Sequence, residues 1–178
     1  MRIIAGKHRG RKLLTPKDDT VIRPTTDFTR EALFNILSTR IVEADVLDLF
    51  GGTGALSLES LSRGARSATV ADRSRESIAL IRKNAAMMGE TPEIIEGEYD
   101  TVCRRLNGRA FDVIFLDPPY KMEVPPILGC LAANALLRVG GVVVYEHDKG
   151  YVCPETEGWS QVDERHYGRV AITFLTEK

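Results

Sequence analysis

The sequence predicts an α/β protein with a mostly parallel sheet. Short apolar runs alternate with stretches of helical period from residue 46 to about residue 146. Three of these runs lead into an aspartate, and the first is followed at once by a glycine turn. The alternation then stops, and two strand-like runs close the chain. This pattern is typical of parallel strands joined by helices, with an antiparallel hairpin at the end.

The composition excludes several classes of protein. The 178 residues are 43% hydrophobic and 28% charged, with a formal net charge of −1, as in an ordinary soluble globular protein. No apolar run is long enough to span a membrane, and the first residues lack the apolar core of a signal peptide. Three scattered cysteines and three scattered histidines argue against disulfides and against a metal site. We expect one domain, monomeric, metal-free and cytoplasmic.

The first dozen residues carry a concentrated positive charge. Residues 2–14 are predicted to form a β-hairpin that turns between Gly6 and Gly10. Its cations, with no acid among them, are Arg2, Lys7, Arg9, Arg11 and Lys12. Such a cluster suits the phosphate backbone of a nucleic acid, and the alternative interpretation is a solvated, mobile arm. A loop over residues 16–24, which contains Arg23, follows it.

The remaining elements are predicted in order. A helix begins at Thr26 or Asp27 and runs to about Arg40, with Phe28 and Leu33 on its apolar face. Strands are predicted over residues 46–49, 67–72, 92–96, 111–116 and 142–146, and the closing hairpin over 159–166 and 169–175. Helices are predicted over 55–61, 75–88 and 125–137, with a short one after Asp100, and the glycines at 140–141 are expected to end the helix before them.

The stretch from Val46 to Gly54 predicts a ligand site. An apolar strand reaches an acid, Asp48, and then breaks into glycines that let the backbone turn sharply and let a ligand approach closely. Asp72 ends the next strand and can accept hydrogen bonds from ribose hydroxyls. A nicotinamide site would want a third glycine where Ser57 stands. An acid before the turn suits a ligand with a cationic part instead.

A second motif, Asp117-Pro118-Pro119-Tyr120, follows the fourth strand. The two prolines fix the backbone, so that the Asp117 carboxylate and the Pro118 carbonyl can point into one small space. Two such acceptors suit an exocyclic NH2 group, and Tyr120 offers a flat face on which a base can stack. The alternative for this motif alone is a rigid strand-end turn with an exposed tyrosine.

Together these motifs resemble a known family. The Asp117–Tyr120 tetrad and the loop over residues 48–54 are similar to those of the S-adenosylmethionine-dependent amino-methyltransferases, which have a seven-stranded Rossmann-like fold. More narrowly, the chain resembles the bacterial 16S ribosomal RNA guanine-N2 methyltransferases of the RsmD type. The segments that carry this resemblance are RIIAGK over residues 2–7, RGRKL over 9–13, RPTTD over 23–27 and REALFN over 30–35. It covers essentially the whole chain.

The resemblance implies transfer of a methyl group from S-adenosylmethionine to the N2 amine of a guanine in small-subunit ribosomal RNA. It implies a single methyltransferase domain over 1–178, with 1–24 as basic hairpin and loop and 25–178 as catalytic core. The implied cofactor residues are Asp48, Gly51, Gly52, Thr53, Gly54, Asp72, Arg73, Glu98 and Tyr99. The implied target-base residues are Asp117, Pro118, Pro119 and Tyr120. The implied contacts to ribosomal RNA or the small ribosomal particle are Arg2, Lys7, Arg9, Arg11, Lys12 and Arg23.

Four positions depart from the family's usual residues. Gly51 and Ser57 stand for a common alanine and a common glycine, and we expect little change because all are small. His8 and Phe28 stand for a frequent tryptophan and a frequent arginine, and they bear on RNA contacts.

Other functions remain open at this point. The same tetrad serves amino-methyltransferases that act on adenine N6 or another nucleobase of RNA or DNA. A non-catalytic RNA-binding assembly factor on the same fold, and a nicotinamide oxidoreductase, are the alternatives from other classes.

Overall fold

The computed structural model describes residues 1–16 and 26–178, and these form one seven-stranded sheet with helices packed on both faces. Arg23 and most of the loop predicted over residues 16–24 lie outside the described residues. The strands are β1 (Asp45–Asp48), β2 (Ser67–Asp72), β3 (Glu93–Glu96), β4 (Phe111–Leu116), β5 (Leu137–Asp148), β6 (Trp159–Tyr167) and β7 (Val170–Glu177). The helices are α1 (Asp27–Ile36), α2 (Ser38–Ile41), α3 (Ala55–Ser62), α4 (Arg75–Met88), α5 (Tyr99–Arg105) and α6 (Val124–Ala133).

The strand order, β3-β2-β1-β4-β5-β7-β6, confirms the predicted fold class. The first five strands are parallel, and β7 pairs antiparallel with both β5 and β6. The chain leaves β1 in one direction, through β2 to β3, and returns to the other side at β4. Ligands of open α/β sheets bind at such a reversal, beyond the carboxyl ends of the strands.

Strand β4 shows why the middle of a central strand is apolar. Its side chains alternate between the two faces of the sheet, and both faces are covered. Ile114 and Leu116 pack with residues of α5 and α6, whereas Val113 and Phe115 pack with residues of α1 and α2. All four are buried. A strand in this position has no polar face, so the chemistry is confined to its carboxyl end.

The N-terminal hairpin is present in shortened form. Arg2 and Lys12 make a single antiparallel bridge, and Ile3 and Leu13 are buried in a cluster with residues of α3 and α4. The carboxylate of Glu59, on α3, is fully buried and accepts hydrogen bonds from the Ile4 and Ala5 amides at 2.8 and 3.0 Å. The segment is therefore anchored to the sheet's helices, and its interpretation as a mobile arm is wrong.

The first predicted helix is divided in two, and the face that it buries differs from the predicted one. It breaks at Leu37 into α1 and α2, and Thr26 caps α1 by accepting the Thr29 amide at 3.1 Å. Phe28, predicted to be apolar-face, is 71% exposed, whereas Arg30 is 1% exposed. The reason is the hairpin, because the Arg30 guanidinium donates to the main-chain carbonyl of Arg2 beneath it. Periodicity cannot show that contact.

The last parallel strand is longer than predicted, and the helix before it is shorter. Strand β5 begins at Leu137, so the glycines at 140–141 lie inside the strand rather than at a helix end. Leu137 pairs with Phe111 and Val142 pairs with Val113, so the residues between them bulge out of the register. Gly140 has φ +80°, and a Cβ at Gly141 would approach the Asp112 carbonyl to 3.0 Å. The two glycines therefore allow the backbone to form the bulge.

Across the described ranges, 1–16 and 26–178, no helix is long and apolar enough to cross a bilayer. The same residues contain no group of three or more His, Cys, Asp or Glu side chains that could hold a metal ion.

Candidate active site

A cleft of about 850 Å³ opens at the carboxyl edge of the parallel strands. Its lining comes from the glycine turn, from the segments after β2, β3 and β4, from the end of β5, and from two segments that the chain brings in from its two ends, residues 26–29 and 167–170. Carboxylates mark the carboxyl ends of four neighbouring strands in sheet order: Asp72, Asp48, Asp117 and Glu146. The cleft is therefore an acidic trough, suited to hydrogen-bond donors and to cations.

Main-chain hydrogen bonds fix the glycine turn after β1. The Gly51 amide donates to the Ala71 carbonyl at 2.8 Å, and the Gly54 amide donates to the Gly51 carbonyl at 2.7 Å. A Cβ at Gly51 would lie 2.4 Å from Val70 Cγ2, and Gly54 begins α3 with φ +80°. Gly54 needs glycine for its backbone conformation, whereas a side chain at Gly51 would require Val70 to shift. Of the four predicted loop residues, Gly52 lines the cleft, whereas Gly51, Thr53 and Gly54 lie behind it.

Asp72 lies at the tip of β2 and faces the cleft. One carboxylate oxygen accepts the Gly52 amide at 2.9 Å, and the other accepts the Ser74 amide at 2.8 Å. These bonds hold the carboxylate in one orientation, and each oxygen retains a further lone pair for a ligand hydroxyl. Asp72 thus presents two oriented oxygens to the cleft, and its role as a ribose acceptor stays a prediction.

Asp48 lies beneath the turn rather than on the cleft surface. It is 1% exposed, and its carboxylate accepts the Phe50 amide at 3.3 Å and the Ser57 hydroxyl at 3.2 Å. Burial raises the pKa of Asp48 to about 7, against the lowering effect of those two hydrogen bonds. Ser57 does more than fill the place of a small residue, because its hydroxyl is one of the two donors to this carboxylate.

The remaining predicted cofactor residues lie in the half of the cleft next to Asp72, which we call the cofactor half. Arg73, Glu98 and Tyr99 line the cleft, and the rings of Phe50 and Tyr99 lie 6.3 Å apart between centroids. The Arg73 guanidinium lies 3.8 Å from the Glu98 carboxylate, with both side chains more than half exposed. A pair so open to water holds little energy, and both groups can turn toward a ligand.

The Asp-Pro-Pro-Tyr segment forms the opposite wall. All four of its residues line the cleft, the Met122 amide closes the turn on the Pro119 carbonyl at 2.8 Å, and the Tyr120 ring is 68% exposed. Desolvation, followed by repulsion from Glu146 and Asp48, raises the pKa of Asp117 above its ordinary value. Asp117 is exposed and opens onto the cleft. This wall presents a carboxylate beside an exposed aromatic ring.

The half of the cleft next to Asp117, which we call the target half, is also lined by residues that sequence reasoning missed. Phe28 and Tyr167 meet edge to face there, 6.4 Å between centroids, and Arg169 and Glu146 also line it. Residues 26–29 and 167–170 lie at opposite ends of the chain, so no local pattern joins them. The one signal for Glu146 in the sequence is its place directly after the buried run over residues 141–145 of β5.

The predicted RNA-binding cations of the hairpin differ in whether their side chains contact other parts of the protein. Lys7 pairs with Glu90 at 2.6 Å, Arg2 lies 3.5 Å from Asp27, and Arg11 donates to the Met87 carbonyl at 2.9 Å. Arg9 and Lys12 are exposed, and their side chains pair with no acid in residues 1–16 or 26–178. These two are the most available to a phosphate.

The family described as Conserved hypothetical protein 95 matches residues 1–176. The chain is 35% identical to "Ribosomal RNA small subunit methyltransferase D" of Escherichia coli strain K12 over 174 residues, which cover 96% of this chain and 87% of that protein. The chain belongs to this family.

Two further comparisons support the assignment to the family. "Ribosomal RNA small subunit methyltransferase D" of Haemophilus influenzae is 32% identical and covers 96% of this chain and 91% of its own length. The solved structure of yhhF from Escherichia coli is 32% identical, with a TM-score of 0.87, and covers 100% of this chain and 98% of that one. The family thus shares both the sequence and the Rossmann-like methyltransferase sheet with this chain.

Proposed function

We propose that this protein transfers a methyl group from S-adenosylmethionine to the exocyclic N2 amine of a guanine in small-subunit ribosomal RNA, in the cytoplasm. The observation that carries the proposal is the shared cleft, because the Asp117–Tyr120 wall faces the same space as Asp72 and Glu98. The names of the family's members support ribosomal RNA as the substrate. The shape of the wall supports an amine as the methyl acceptor.

The cofactor half fits S-adenosylmethionine by its donors and acceptors. Asp72 offers oriented acceptors for ribose hydroxyls, and Phe50, Tyr99 and Glu98 offer an apolar face and an acceptor for adenine. Asp48 lies beneath the turn with a pKa raised to about 7, and the positive charge of the methionine part would favour its ionised form. When bound, the cofactor supplies an electrophilic methyl group on a sulfonium.

The target half fits the amine that receives the methyl group. Asp117 and the Pro118 carbonyl accept the two N–H groups and favour a pyramidal nitrogen with an available lone pair. As the new N–C bond forms and the S–C bond breaks, one amine proton leaves, and the Asp117 carboxylate is the nearest proposed acceptor. Its raised pKa suits it to hold that proton before release to water. Tyr120 stacks on the base that has left its own helix.

Methyl transfer to isolated ribosomal particles tests the proposal. Small subunits from a strain that lacks this protein are incubated with the purified enzyme and methyl-labelled S-adenosylmethionine. We expect label in 16S ribosomal RNA, and none when the particles come from a strain that has the protein, because their site is already methylated. Label confined to large subunits, or absent from all RNA despite cofactor binding, would contradict it. The second outcome would favour an assembly factor.

A further inference from the structure

The end of β5 brings a second carboxylate to the target half. Leu116 of β4 pairs with Tyr145 of β5, so the next residues, Asp117 and Glu146, lie side by side at the carboxyl edge of the sheet. Neighbouring strands are about 4.8 Å apart. Both residues line the cleft, and the repulsion of Glu146 on Asp117 shows that the two carboxylates feel each other's charge.

The two residues also share a face of the sheet. Phe115 and Val144, two positions earlier on each strand, are buried together against α1 and α2. Side chains at i and i+2 of a strand lie on one face, which places Asp117 and Glu146 on that same side. Strand β5 is held on both flanks, because Tyr145 pairs with Leu116 and Glu146 pairs with Ile172 of β7. The position of Glu146 beside Asp117 is therefore fixed by the sheet.

Two neighbouring carboxylates match one nucleobase better than the other. Guanine presents adjacent donors on its Watson–Crick edge, the N1–H and the N2 amine. Adenine presents a donor, the N6 amine, beside an acceptor, N1. An ionised carboxylate accepts hydrogen bonds and donates none. A pair of them satisfies guanine, whereas one of them would face the adenine N1 lone pair without a hydrogen between them.

We propose that Glu146 is the specificity-determining residue of the site, accepting the N1–H of guanine while Asp117 and the Pro118 carbonyl hold the N2 amine. This assignment rests on the proposed function, since it requires a guanine target. It gives the two carboxylates separate roles. Asp117 contacts the atom that is methylated, and Glu146 contacts its neighbour and decides which base is accepted.

The base analogue 2-aminopurine tests this contact. It keeps the 2-amine of guanine but has a lone pair at N1 in place of the N–H and a hydrogen in place of O6. Because the loss of O6 is the same for every enzyme, the comparison between wild type and variant reports on N1. Small subunits are reconstituted with 16S ribosomal RNA that carries guanine, 2-aminopurine or adenine at the methylated position, once mass mapping has located it. Single-turnover methyl transfer is measured with the wild type, with Glu146→Gln and with the control Asp163→Asn, which removes a partly exposed carboxylate of β6 that pairs with Arg165 outside the cleft.

We expect the wild type to prefer guanine over 2-aminopurine by roughly 10- to 100-fold, because the Glu146 carboxylate and the N1 lone pair of the analogue would face each other with no hydrogen between them. In Glu146→Gln the amide can donate to N1, so the preference should fall to within about threefold, with S-adenosylmethionine affinity unchanged. Intrinsic differences in amine reactivity cancel in this comparison of two enzymes. Asp163→Asn should keep the wild-type preference.

An unchanged guanine preference in a folded Glu146→Gln enzyme would overturn the proposal. If that variant does not fold, Glu146→Ala takes its place, where a reduced guanine preference would support the proposal and an unchanged one would overturn it. Mapping that places the natural methyl group on adenine would refute the proposed function itself. A guanine product with an unaltered preference would refute only the role of Glu146.

Discussion

The two halves of the cleft are built in different ways. In the cofactor half, main-chain hydrogen bonds link the glycine turn to β2, and Asp72 takes its orientation from the Gly52 and Ser74 amides. The target half is assembled from four separate stretches, around Phe28, Asp117, Glu146 and Tyr167. The cofactor half is local in the sequence, because the crossover from β1 to β2 supplies its turn and its carboxylate. The target half exists only when the whole chain has folded.

Under the proposed function, cofactor binding belongs to one half, and the chemistry and the choice of base belong to the other. A change in the cofactor half should alter cofactor affinity, and a change in the target half should alter rate and RNA recognition. The following variants test that division.

The largest effect is expected at Asp117. Asp117→Ala should lower the single-turnover rate of methyl transfer about a hundredfold or more, because a positioned acceptor for the reacting amine is lost. Its affinity for S-adenosylmethionine should stay within about threefold of wild type, as measured by calorimetry. A mutant that transfers methyl groups at the wild-type rate would remove the carboxylate from the chemistry. A large loss of cofactor affinity would break the division between the halves.

Asp48 should make the free energy of unfolding of the protein depend on pH. Its pKa is about 7 in the folded protein and about 3.9 in an unfolded chain, so the folded state keeps a proton that the unfolded state releases. The free energy of unfolding of the cofactor-free protein should therefore fall as pH rises from 4 to 7. Asp48→Asn removes this loss, and its stability relative to wild type should rise by about 2–4 kcal/mol between pH 4 and pH 8.

The opposite end of β1 provides the control for that experiment. Hydrogen bonds from Arg66, together with those from Ser67 and Arg138, hold the pKa of Asp45 below its usual range. Its stabilising effect is present above the unfolded pKa and is lost as pH falls, so Asp45→Asn should lose stability relative to wild type as pH rises from 2 to 6. Urea unfolding at a series of pH values measures both variants. Relative stabilities that move in the same direction with pH would contradict the assignment for Asp48.

Asp72 should affect affinity alone. Asp72→Ala should weaken S-adenosylmethionine binding by about 1–3 kcal/mol, because ribose hydroxyls would lose their acceptor and the Gly52 amide its anchor. Asp72→Asn, which keeps one acceptor oxygen, should lose less. At saturating cofactor the transfer rate should return to near the wild-type value. An unchanged dissociation constant in calorimetry would remove Asp72 from the cofactor site.

The smallest effect is expected on the hairpin, outside both halves. Replacing Arg9 and Lys12 with alanine should lower the log–log salt slope of ribosomal-particle binding by roughly one to two units, since each phosphate contact contributes about 0.7–0.9. The control replaces Arg104 and Arg105, exposed cations of α5, with alanine for the same change in charge. Parallel salt lines for both double variants would mean that the hairpin makes no phosphate contacts. Cofactor affinity should be unaffected in both.

The same difference between the halves explains what the sequence could predict. The bounds of β2, α4 and β4 matched the predictions, because periodicity and caps are local properties. The acid Asp72 and the tetrad at Asp117 were recognisable because each follows a strand directly. The burial of Arg30 and the exposure of Phe28 were not, because both depend on the N-terminal segment packing across α1 and α3. Glu146 was missed because strand register, rather than spacing, places it beside Asp117.

The central claim is that the target half holds a guanine by its amine, and the chemical identity of the product tests it most directly. Small subunits from a strain that lacks this protein are methylated in vitro, and the 16S ribosomal RNA is digested to nucleosides for mass spectrometry. We predict one new modified nucleoside, N2-methylguanosine, absent when Asp117→Ala replaces the wild type. A methyl group on adenine N6, on a ring nitrogen or on a ribose would contradict the account.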